Sequence, residues 1–216
     1  MTTYHKIQTL FLREENAGRG CPVVEGMWAK PEFEYLKDTD WLMTEKIDGT
    51  NIRVVWDGFR LEFKGKTDKA QMYPGVVEKL KEYFDEDKMD FFFKTGGERV
   101  FTLYGEAYGG KIQKGKTYKD DVDFILFDVL CTRDDGLKTW FSHQAVLETS
   151  EALEIQIVPL LRCAPLSVAI EMCKKGFESR LRNAPPEGLV MKPEIELKNK
   201  VGERIITKLK LSDFKR

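Results

Sequence analysis

No apolar run in the sequence approaches the ~18 to 20 residues needed to span a bilayer, and the N-terminus lacks the basic and then apolar layout of a signal peptide. These absences predict a cytoplasmic protein with no membrane partner. Histidine is scarce: only His5 and His143 occur, far apart, and neither is assigned a role. Four cysteines (Cys21, Cys131, Cys163, Cys173) form no C-x-x-C pair, which argues against a structural zinc site and for reduced, packed thiols. Neither sign of charge prevails, and a net charge of −1 speaks against a general basic footprint for nucleic acid. Internal repeats, low-complexity tracts and Ser/Pro-rich linkers are also missing. One domain over residues 1–216 is therefore expected, with no separate C-terminal or OB domain.

What is present suits a soluble globular fold. Charged residues make up 33% of the chain and hydrophobic ones 42%, enough apolar material for a core and too much for a disordered tail. The charge is unevenly spread. From Lys192 to Arg216 eight basic residues face four acids, and a second basic stretch holds Lys111, Lys114, Lys116 and Lys119. Each reads either as a solvated face or as a groove for phosphates.

Residues 41–47 and 51–56 are rich in Trp, Ile and Val, and Asp57-Gly58 then turns the chain into an alternating run from Phe59 to Lys64, a hairpin signal. Helical spacing runs from Gly75 to Phe84 after Pro74. Residues 99–105 and 122–130 read as strands, the second ("VDFILFDVL") too apolar to be half exposed. Ser142 and Ser167 stand where N-caps belong, before helices at about 143–153 and 168–178, and short strands follow at 187–192 and 204–210. Strands outnumber helices without alternating with them, which predicts an α+β fold with antiparallel sheets.

Lys46-Ile47-Asp48-Gly49 is a K-x-D-G tetrad. Such a tetrad arises by chance in about one chain of this composition in ten. Its company raises it: "LYGEAYG" around Glu106, "FILFDVL" around Phe127 and Asp128, "EGLVMKP" from Glu187, and "TKLK" with Lys208 and Lys210. In this order the motifs resemble those of the covalent nucleotidyltransferases, which include DNA ligases, RNA ligases and mRNA capping enzymes. The resemblance covers about residues 44–210. "EKIDGTN", with Asn51 where DNA ligases and capping enzymes carry arginine, is similar to the RNA ligase 2 type, as is "GKTDKAQ" (65–71), although arginine is commoner at the position of Lys66.

The resemblance implies antiparallel β-sheets flanking a nucleotide cleft with peripheral helices, the ATP-grasp-like nucleotidyltransferase domain of ligases. It also implies roles. Lys46 would be the nucleophile, and Lys192, Lys208 and Lys210 would meet the phosphates of ATP. Glu187 would lie near a Mg²⁺ or Mn²⁺ ion, Glu106 near the ribose hydroxyls and Phe127 against the adenine, whose amino edge Glu45 would read; Ile47, Asn51 and Lys66 would complete the nucleotide contacts. These residue types suit the chemistry. A lysine attacks phosphorus only as the neutral amine, yet its ordinary pKa is ~10.4, so a positive field from Lys208, Lys210 and a metal ion helps where acidic neighbours alone would not. The expected activity is ATP-dependent RNA ligation through lysyl-AMP, on nicked duplex RNA before free strands. A minimal DNA ligase and a catalytically silent nucleotide- or RNA-binding module are the alternatives; a capping guanylyltransferase would need a following OB-fold, and six residues follow Lys210.

Overall fold

In the computed structural model, which describes residues 3–14, 21–94 and 98–214, the chain divides into two compact units. One holds the described residues up to Tyr4 and Asp48–Val158; the other holds His5–Ile47 and the chain from Pro159 onward. The N-terminal flank supplies β1 (Gln8–Thr9), β2 (Phe11–Arg13), β3 (Val23–Trp28), α1 (Pro31–Tyr35) and β4 (Trp41–Lys46). The middle supplies β5 (Thr50–Trp56), β6 (Leu61–Lys64), α2 (Pro74–Tyr83), α3 (Glu86–Phe93), β7 (Arg99–Gly109), β8 (Val122–Arg133), β9 (Lys138–Trp140), α4 (His143–Ala152) and β10 (Gln156–Ile157). The C-terminal flank adds β11 (Leu160–Ala164), α5 (Leu166–Lys175), β12 (Gly188–Pro193) and β13 (Thr207–Lys210).

The middle segment forms one sheet in the order β10-β8-β7-β5-β6, with β9 also on β8. Its neighbours are antiparallel except β10 and β8. The Asp57-Gly58 turn works as its residue types require: Asp57 Oδ1 accepts from the amides of Phe59 (2.9 Å) and Arg60 (2.7 Å), and Gly58 takes φ +91°. One face of β5 (Ile52, Val54, Trp56) packs with Leu103, Phe124 and Leu126 and with Val76, Leu80 and Phe84 of the α2 stretch. Each such side chain contributes roughly 1.5 to 3 kcal/mol by burial. Pro74 starts α2, where its missing N–H costs nothing. Ser142 caps α4 by accepting from Ala145 N at 3.2 Å.

The flanks form a second sheet in the order β1-β13-β12-β4-β11, with β2 and β3 paired separately. Trp41, Met43, Leu189, Met191 and Leu209 bury one face of it against Leu166, Ala169 and Cys173 of α5. That buried stripe corrects the reading of Ser167 as a cap: α5 starts at Leu166 behind Pro165, Ser167 lies inside it, and it ends before Gly176 at φ +79°. A cap two residues later would have left Leu166 out of the helix face that the sheet covers. All four cysteines are free thiols, and burial pushes Cys173 up to about 12. Among the described residues no helix is long and apolar enough to cross a membrane.

Candidate active site

Lys46 ends β4, and the register of the flanking sheet fixes its neighbours. Lys46 pairs with Gly188, and Gly188 pairs with Lys210. By the two-residue period of a strand, Lys208 and Lys192 lie on the same face as Lys46 and Lys210. Three motifs that are far apart in sequence thus become adjacent strands. Gly188 is required by close approach: a Cβ there would stand 2.0 Å from the carbonyl oxygen of Leu209 and 2.7 Å from the Cα of Lys210.

Glu187 bridges this face. Its Oε2 lies 2.6 Å from Lys46 Nζ and its Oε1 lies 2.5 Å from Lys210 Nζ. Burial pushes the Glu187 carboxyl up, but the ammonium groups of Lys46 and Lys210 outweigh it and hold the group below its ordinary value. Lys208 is shifted the other way for a base. Burial first, then the like charges of Lys46 and Lys210, lower its pKa, opposed by Glu187 and Asp213. A cluster of three lysines around one carboxylate is the result.

Glu45 points to the opposite, buried face. Its carboxylate accepts from Ser179 Oγ and from the amide of Arg180 (2.9 Å), and so fastens the segment that leads to Glu187. Ile47 is buried. Sequence reasoning missed Ser179, and it missed Asp213, which accepts from Lys210 N (2.8 Å), pairs with Arg13 (2.6 Å) and fixes the end of β13. A buried acid three residues past the second lysine of "TKLK" was the available signal. Of the basic C-terminal stretch, Lys215 and Arg216 lie outside the described residues.

In the unit built from the middle segment, Asn51 on β5 faces Glu106 on β7. Gly49 is needed because a Cβ there would stand 2.2 Å from Ala107 O and 2.8 Å from Glu106 Cγ. The β7–β8 register shifts between Tyr104 and Gly105, so that Tyr104 pairs with Asp128 and Gly105 with Leu126, leaving Phe127 at a bulge. Tyr4 packs edge-on against the Phe127 ring at 5.1 Å and donates its hydroxyl to Asp128 at 2.7 Å. Lys66 is exposed on a loop pinned from below by Arg53, a fully buried arginine that donates to Gly65 O (2.9 Å) and Asp68 Oδ1 (2.8 Å). That guanidinium holds the Asp68 carboxyl below its usual range.

The donor set of the lysine face suits a triphosphate, and the Glu187 carboxylate is an oxygen donor of the type that a hard divalent cation takes. Asn51 Oδ1 is buried without a hydrogen-bond partner among the described residues, which leaves it available to a polar ligand.

A model of the RNA ligase family matches residues 39–210. The fold is similar to solved structures of Naegleria gruberi RNA ligase. A mutant in the apo state superposes with a TM-score of 0.65 at 18% identity, covering 84% of this chain and 52% of that one. The form with pyrophosphate gives 0.61 at 21%, covering 83% and 52%, and a mutant with ATP and manganese gives 0.61 at 21%, covering 82% and 52%. The chain spans about half the length of these solved proteins.

Proposed function

The chain belongs to the RNA ligase family, and we propose that it is an ATP-dependent enzyme that joins RNA 5′-phosphate and 3′-hydroxyl ends through an adenylylated Lys46. The observation that carries this reading is the Lys46–Glu187–Lys210 bridge with Lys208 beside it. Lys46 Nζ, having released its proton and its hydrogen bond to Glu187, would form the N–P bond at the α-phosphorus as the P–O bond to pyrophosphate breaks. The RNA 5′-phosphate oxygen would then attack that phosphorus, breaking the N–P bond and restoring the lysine. Finally the 3′-hydroxyl oxygen would attack the 5′-phosphate, lose its proton and expel AMP. Lys208 and Lys210 would stabilise the charge that builds on the phosphate oxygens at each transfer.

A divalent cation such as Mg²⁺ or Mn²⁺, with Glu187 as ligand, would supply further positive charge beside those oxygens. Glu106, Phe127, Asn51, Ile47, Lys66 and Lys192 keep the nucleotide roles that the motif resemblance implies. An adenine contact by Glu45 would require its carboxylate to leave Ser179 and Arg180.

The test is incubation with labelled ATP, GTP or NAD⁺ and a divalent metal, then denaturing electrophoresis and mass spectrometry. One AMP on Lys46, from ATP, is expected. An adduct on another residue, or none, overturns the assignment.

A further inference from the structure

The segment 110–119 between β7 and β8 contains four lysines and no acid. It is a folded loop. Gly110 N donates to Lys119 O at 3.1 Å and closes its neck, while Gly115 N donates to Ile112 O (2.7 Å), Tyr118 N to Gly115 O (2.8 Å) and Thr117 Oγ1 to Lys114 O (2.8 Å). Ile112 packs on the core, and Gly115 presses so closely on Gly109 that a Cβ would stand 2.2 Å from its oxygen. Gln113 is held at φ +50°, an uncommon conformation for a residue that is not glycine. The loop is also latched to the K-x-D-G turn, since Tyr118 Oη accepts the amide of Asp48 at 3.0 Å.

Of its lysines, Lys119 is taken by Asp123 at 2.6 Å. Lys111, Lys114 and Lys116 are exposed, and their ammonium groups have no hydrogen-bond or ion-pair partner among the described residues. The acids that follow, Asp120 and Asp121, sit at the neck, where β8 begins. Three like charges on one loop without a counter-charge of its own create a local positive potential that attracts an anion from outside. We propose that this loop docks the sugar-phosphate backbone of the RNA substrate. The proposal rests on the ligase reading for its purpose. The phosphates of ATP fit it less well: a compact triphosphate calls for convergent, partly desolvated donors such as Lys208, whereas exposed and separate cations suit a string of phosphates.

The test measures the binding of a fluorescent nicked RNA duplex across salt concentrations, without ATP, for the wild type and for the triple variant Lys111→Ala/Lys114→Ala/Lys116→Ala, together with AMP adduct formation by both. With about 0.7 to 0.9 of slope in log K against log salt per phosphate, the triple variant is expected to lose about two units of slope and to bind roughly tenfold or more weakly at low salt. Its adduct formation should stay within about twofold of the wild type. Unchanged affinity and slope would overturn the proposal, and so would a parallel fall in adduct formation, which would assign the lysines to the nucleotide. If the wild type forms no adduct yet shows the slope difference, the ligase reading fails and the docking loop stands.

Discussion

Glu187 holds two ammonium groups at once, one on each carboxylate oxygen, and this makes its protonation state a structural variable. Its folded pKa is depressed below the reference value of 4.5. The bridge therefore contributes its full stability above that value and loses it as pH falls through the lower folded one. Thermal melts of the wild type and Glu187→Gln should differ most at neutral pH and converge on acidification; a constant gap would show that the bridge is not what stabilises. Lys208 carries the opposite sign. Burial and the neighbouring lysines lower its pKa below 10.5, so its charge opposes folding until pH rises through the folded value toward 10.5. Lys208→Met should raise the melting temperature at neutral pH while reducing AMP adduct formation by roughly 10² or more, the scale of losing one preorganised donor. Lys46→Ala should abolish the adduct without unfolding the protein, because Lys46 ends its strand and is not part of the core.

The strands β4, β12 and β13 show why the motifs read as they do. The glycine of "EGLVMKP" is present because the backbone of β13 occupies the place of its Cβ. Gly188→Ala should cost roughly 3 kcal/mol or more, since the clash is with backbone rather than a movable side chain, and hydrogen exchange should report it first in Lys208–Lys210. Tyr4 is a second case. Tyr4→Phe keeps the ring on Phe127 but removes a hydrogen bond to the buried Asp128 carboxylate, a loss of about 1 to 3 kcal/mol to be read from denaturant melts. Local signals carried the β5–β6 hairpin, α2, α4 and the long strands β7 and β8. They did not carry α3, whose "EDKMDFFF" has three aromatics in a row instead of a helical stripe, although Asp85 does cap it by accepting from Lys88 N. The parallel pairings of β1 with β13 and β10 with β8 join residues distant in sequence, through two-residue strands too short to show a period. At the candidate site the shared face of Lys208 and Lys210 was legible from the two-residue period, and the partner of Glu45 was not: Glu45 lies next to Lys46 in sequence, but its carboxylate turns to the buried side, toward Ser179, a residue distant in sequence.

The proposed ligase reading requires that two RNA ends be brought together. A nicked duplex presents its 3′-hydroxyl and 5′-phosphate already close to the reacting geometry, which removes most of the entropy loss of joining two free strands. A-form RNA also offers 2′-hydroxyls and phosphates on a fixed lattice, readable without base contacts. Sealing of a 3′-hydroxyl/5′-phosphate nick is therefore expected to exceed joining of unannealed strands, with ribonucleotides mattering more on the 3′-hydroxyl side. On the proposal that exposed lysines contact the RNA phosphates, sealing should weaken as salt rises, while formation of the AMP adduct, which the same reading assigns to the half-buried Lys208 and its neighbours, should change less. The measurement compares matched nicks with RNA or DNA on each side of the break, and unannealed strands, at two salt concentrations, with adduct formation followed in parallel. Equal sealing of an all-DNA nick would reassign the substrate to DNA, and efficient joining of free strands would mean that the protein itself orders the ends.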